Sequence, residues 1–229
     1  MTVSTFRSDA DPETNSVDSR IQYVDTAGVT WATIRGDPGG APVNADSPSV
    51  IAHIQIRCDG NTDKWDVFDR NVHLFDTSSL PDGDDIDSAT FEVVGDAGNA
   101  KSDSFTSSVA LVTTTPASNT DIVADDYDQF GTADQATRIT IDNIVVDDST
   151  FNQFTLNSTG RGNIAKAGVT KFGIRISDDA DDVEPTWASG AKAVVTFHSA
   201  DEAEGADLRP KLVVTHSTAT TFIPKAMVF

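Results

Sequence analysis

Short apolar runs alternate along the chain with clusters of Asp, Gly, Pro, Ser and Thr. In residues 50–57 (VIAHIQIR), Val50, Ala52, Ile54 and Ile56 fall on one parity and His53, Gln55 and Arg57 on the other. Residues 67–75 and 86–94 repeat the pattern, with Phe68, Val72 and Leu74 sharing one parity in the first and Ala89, Phe91 and Val93 in the second. Residues 29–34, 109–115, 138–146, 169–176, 193–198, 212–216 and 221–229 are read as further strands. A period of two, with turn residues between segments, predicts half-buried strands. Helical signal is confined to single turns at 124–129 and 163–167. Gly36 to Pro42 (GDPGGAP) predicts a loop, Pro81-Asp82-Gly83 a turn, and residues 177–185 an acidic loop. The expected fold is all-β: an antiparallel, jelly-roll-like β-sandwich over residues 29–216, with an N-terminal arm over 1–28 and a C-terminal docking strand over 217–229.

Charge changes the picture more than length does. The chain of 229 residues carries 36 acidic against 16 basic side chains, a formal charge of −20. Of the acids 31 are Asp, a residue that favours turns and caps over helices. Such a field repels phosphate backbones and anionic lipid, so neither nucleic acid nor membrane is an expected partner. At molar salt the Debye length is only ~3 Å and the self-repulsion is screened, which points to a salt-adapted source. Hydrophobic residues make up 38% of the sequence, enough for a core. The single cysteine, Cys58, excludes an intrachain disulfide framework. The first residues, MTVSTFRSDADPE, lack a basic region followed by an apolar one, so no secretion signal is expected.

Two stretches carry a resemblance. Residues 74–94 (LFDTSSLPDGDDIDSATFEVV) and 194–216 (VVTFHSADEAEGADLRPKLVVTH) resemble the strand–turn–strand and the closing strand pair of DNRLRE-type and related carbohydrate-binding β-sandwich modules. The resemblance implies that Phe75 ends a core strand, that Pro81 to Gly83 turn the chain, and that Ile86, Ala89 and Phe91 return to the core. Residues 16–18, residues 30–36 (TWATIRG) and the ending FIPKAMVF are similar to stand-alone structural proteins of tailed viruses. That implies a protein made in the host cytoplasm and carried on the virion surface.

No G-x-S-x-G, H-E-x-x-H or P-loop pattern is present, and nothing in the sequence orders the abundant Ser, His and Asp into a triad, so an enzyme is not expected. Asp178, Asp179, Asp181, Asp182 and Glu184 crowd one bend; they read as solvated turns, with calcium as the alternative and no cofactor required. Trp65, Trp187 and Tyr127 are candidate glycan platforms, because sugar C–H faces pack on aromatic rings; their plainer role is to cap the core. Phe222, Ile223, Met227, Val228 and Phe229 would bury their apolar surface on a neighbour. The functional expectation is a structural virion protein (capsid decoration, turret or spike, or tail component) of a virus with a halophilic host. It would join copies of itself, a trimer being the expected number, and other virion proteins. The alternative is an adhesion module recognising host surface glycans, and a third is a matrix or hydrolase-associated module.

Overall fold

The computed structural model describes residues 1–10, 13–36, 51–98, 101–201 and 208–219. Twelve strands are present among them: β1 (Thr2–Arg7), β2 (Asp18–Val29), β3 (Ile51–Cys58), β4 (Trp65–Asp76), β5 (Asp84–Val94), β6 (Ser102–Asp103), β7 (Ser108–Thr113), β8 (Ile139–Thr140), β9 (Phe151–Thr155), β10 (Val169–Ile176), β11 (Lys192–His198) and β12 (Lys211–Thr218). Three helical turns accompany them: α1 (Trp31–Gly36), α2 (Ser158–Gly162) and α3 (Ser177–Asp181). All pairings between these strands are antiparallel. The molecule is an all-β sandwich, as the alternating pattern predicts.

The smaller sheet runs β1-β12-β5-β9. The larger runs β6-β11-β3-β4-β10-β7-β8, with β2 also paired to β4. Strand β4 is the spine. It pairs β2 from Val67 to His73, β3 through Val67, Phe68 and Asp69, and β10 from Asn71 to Asp76. Its interior is buried on both faces, which explains a sequence less cleanly alternating than that of an edge strand. On the face towards the smaller sheet, His73 and Phe75 meet Phe91 of β5 at ring-centroid distances of 5.1 and 6.0 Å. On the opposite face, Phe68 packs on Trp31 of α1, and Arg70 lies under Tyr127 and Phe130. Each buried Phe contributes roughly 1.5–3 kcal/mol of transfer free energy.

His73 is an apolar residue in practice. Both ring nitrogens are buried without hydrogen-bond partners, and burial draws its pKa down to about 3, so the ring is neutral at pH 7. Burial acts in the opposite sense on the carboxyls of Asp18 and Asp69, pushing each up to about 7.

Four sequence expectations are corrected. Residues 29–34 were expected as a strand, but Trp31–Gly36 is helical. Thr30 starts it, its hydroxyl accepting from the Thr33 amide at 3.3 Å, and Trp31 and Ile34, three apart, then share the buried face. The expected strand at 138–146 keeps only two strand residues before a 3-10 turn at Ile141–Asn143. Residues 1–28, expected as an arm, supply β1 and β2, which pair β12 and β4 of the same chain. The helical turn expected at 163–167 lies upstream at Ser158–Gly162, where the Asn157 side chain accepts from the Gly160 amide. The expected strand at 221–229 lies outside the described residues.

Candidate functional site

The acidic bend begins where β10 ends. After Ile176 the chain makes the single turn α3, and Asp182 closes it in the left-handed region at φ 56°. This turn aims Asp179 inward, where its carboxylate receives two guanidinium forks. Arg70 donates Nε to Oδ2 and Nη2 to Oδ1, both at 2.8 Å. Arg175 donates Nε to Oδ2 at 2.8 Å and Nη2 to Oδ1 at 2.7 Å. Arg35 adds a donation to the Asp179 carbonyl at 2.8 Å. Remaining donors of Arg70 reach the carbonyls of Tyr127 and Arg35, and its guanidinium lies 4.1 Å from the Tyr127 ring centroid. Burial works to raise the Asp179 pKa, but Arg70 and Arg175 outweigh it and hold the carboxyl well below the usual range.

The other carboxylates of the bend diverge. Asp181 receives both forks of Arg138 at 2.6 Å. Asp182 accepts from the Trp31 indole at 3.1 Å and faces Arg35 at 3.2 Å. Glu184 accepts from the Trp65 indole at 2.9 Å, and Asp178 from the Ser177 hydroxyl at 3.1 Å. The five residues considered for calcium are therefore not brought together, because guanidinium and indole donors on different elements draw them apart. Among the described residues no group of three or more His, Cys, Asp or Glu side chains converges as a cation site would require.

The three aromatics considered for sugar binding are also apart. Trp65 and Tyr127 are fully enclosed, at 0% and 1% exposure, so both take the plainer role of core residues and neither presents an open ring face to a sugar. Trp65 sits among Trp31, Phe68 and Phe105, while the Tyr127 hydroxyl donates to the Ile34 carbonyl at 2.6 Å. Trp187 is half-buried on the core edge and donates its indole N–H to the Lys64 carbonyl at 3.1 Å. Residues Phe222, Ile223, Met227, Val228 and Phe229 lie outside the described residues.

Sequence reading missed one constellation. His216 of β12 stands between β1 and β5. Its Nδ1 is 2.6 Å from Oδ2 of Asp84, and its Nε2 is 3.1 Å from the Ser4 hydroxyl. The other histidines differ: His53 meets the Thr196 hydroxyl at 2.8 Å, and His198 meets Asp148 at 3.0 Å. Beside Asp84 opens a cleft of about 350 Å³, walled by Ile86, Ser158, Arg161, Ile164 and Lys166. The signal for the row was present in the strand parity. Ser4 shares the parity of buried Phe6, and His216 that of buried Leu212 and Val214.

No family model matches this chain, and no curated protein matches its sequence.

Proposed function

We propose that this chain is a structural protein of a virion surface, a capsid decoration, turret or tail component of a virus with a halophilic host. The reading also takes the DNRLRE-like segments as architecture rather than as a sugar site. The observation that carries it is the acidic surface. Arg70 and Arg175 are buried against Asp179, and Arg57 and Arg138 are paired with Asp66, Asp134 and Asp181. Lys101 and Lys166 donate to backbone carbonyls, and Lys211 to Glu92. Meanwhile Asp63, Asp82, Asp87, Asp121, Asp128 and Asp147 stand exposed. Among the described residues six acidic side chains (Asp18, Asp69, Glu92, Asp96, Asp126 and Asp179) are buried against two basic ones (Arg70 and Arg175), and the exposed surface still keeps the acidic excess of the composition, which suits a hydrated shell in strong brine. The adhesion alternative needs a sugar platform other than Trp65 and Tyr127.

Assembly is assigned to the C-terminal segment. Strand β12 is paired on both sides, by β1 and β5, and residues 220–229 follow it in sequence, outside the described residues. Their apolar side chains, Phe222 to Phe229, would dock on a neighbouring copy. Removal of residues 220–229 leaves β12 intact. The truncated chain is expected to keep its far-ultraviolet spectrum and melting transition but to appear as a monomer by light scattering in molar potassium chloride, where the full chain is an oligomer. A truncated chain with the full chain's oligomeric mass refutes this assignment.

A further inference from the structure

The row Ser4–His216–Asp84 has the connectivity of an activated nucleophile. A carboxylate at Asp84 can only accept, so when the imidazole is neutral its proton sits on Nδ1, 2.6 Å from that oxygen. Nε2 is then the acceptor, and the Ser4 hydroxyl at 3.1 Å donates to it. This is the tautomer in which histidine takes a proton from serine, with the carboxylate fixing the ring.

Three strands assemble the row. In the smaller sheet β12 lies between β1 and β5. A register shift between Thr215 and His216 sets His216 opposite Ile86, and Asp84 falls two residues beyond on the same parity. Irregularities of this kind re-aim side chains and are frequent beside active sites. Shielding is graded in the useful direction. The His216 and Asp84 side chains are 5% and 13% exposed, while Ser4 is half-buried on the outermost strand of the sheet. The cleft of about 350 Å³ meets the row only at Asp84, and neither Ser4 nor His216 lines it.

We propose that Ser4 is a nucleophile for small carboxylic esters, with His216 as its general base and Asp84 as the positioning residue. Ser4 Oγ bonds to the ester carbonyl carbon as its proton passes to His216 Nε2. The carbon–oxygen bond to the alcohol then breaks, and His216 returns the proton to the departing alkoxide. A water molecule, deprotonated by His216, next attacks the acyl carbon and releases the carboxylic acid and free Ser4. Neither the virion reading nor its C-terminal contacts enter this chemistry, so the two stand or fall separately.

The test uses the full chain, in salt that keeps it folded, with a fluorophosphonate and with para-nitrophenyl acetate. One phosphonyl adduct per chain is expected, mapped to Ser4 by peptide mass. Its rate should fall at least ~100-fold in Ser4→Ala and His216→Gln, the size of a general-base contribution. Asp84→Asn should slow labelling and alter its pH profile, an effect that loss of a purely structural bond does not produce. Ser4→Ala trims one half-buried hydroxyl and is expected to stay folded, so it decides the matter even if the histidine variant unfolds. No adduct on folded wild type, or equal labelling of Ser4→Ala, would show that the row only ties the three strands together.

Discussion

Asp179→Ala is expected to lower the free energy of unfolding by about 3–5 kcal/mol, the usual cost of leaving a buried charge unpaired. The Arg70, Arg175 and Asp179 side chains are only 2–3% exposed. Removing the carboxylate therefore leaves two neighbouring guanidinium groups without a counter-charge. Arg70 retains the carbonyls of Tyr127 and Arg35, but these satisfy hydrogen bonds and not the charge. For a chain of this size the loss corresponds to a fall in Tm of roughly 6–20 °C. Asp179→Asn should lose nearly as much, since it keeps the shape and not the charge. Because the carboxyl is held below the ordinary aspartate value of 3.8, its contribution is complete above that pH and is lost on acidification. The gap between wild type and variant in urea unfolding should accordingly narrow below about pH 4. A gap under about 1 kcal/mol at pH 7 would mean that the two arginines find other partners at little cost.

Trp65→Ala should cost about 3–5 kcal/mol, as expected for emptying an enclosed aromatic site. The indole meets Trp31 at 4.8 Å, Phe68 at 5.9 Å and Phe105 at 5.9 Å, and its N–H holds Glu184. It joins the end of β4 to α1 and to the segment after α3. Trp187→Ala, by contrast, removes a half-buried ring on the core edge and should cost about 1 kcal/mol, near the centre of the distribution for point substitutions. Denaturant unfolding of the two variants measures the difference. Equal, small losses would contradict the enclosed placement of Trp65. The comparison also bears on adhesion: a sugar-binding defect in Trp65→Ala would report lost structure, whereas one in folded Trp187→Ala would report contact.

Much of the sandwich was legible because its strands alternate. Residues 50–57, 67–75, 86–94, 169–176 and 212–216 lie within or almost coincide with β3, β4, β5, β10 and β12, since half-buried strands display a period of two. The turn at Pro81 was equally readable, and the Asp84 amide does bond the Pro81 carbonyl at 3.1 Å. Residues 29–34 misled because β-branched and aromatic residues suit strands, while the Thr30 cap and the i,i+3 burial of Trp31 and Ile34 select a helix. The polar N-terminal strands were hidden by composition. Asp18, Ser19 and Arg20 lie on a strand because β4 offers a partner, not because their propensity asks for one.

The candidate site was less legible, for a reason of topology. Ser4, Asp84 and His216 are distant in sequence, and only the order β1-β12-β5 makes them neighbours. The acidic bend was visible as charge, but its partners Arg35, Arg70 and Arg138 come from other elements, so its use as an ion-pairing hub could not be read locally.

The central claim is that the fold presents an acidic shell that needs screening. The direct measurement is the free energy of unfolding as a function of potassium chloride concentration, near neutral pH. Stability is expected to rise steeply with added salt up to about 1 M, where the Debye length nears 3 Å, and to flatten beyond. A chain fully folded at low salt, with stability indifferent to potassium chloride, would contradict it.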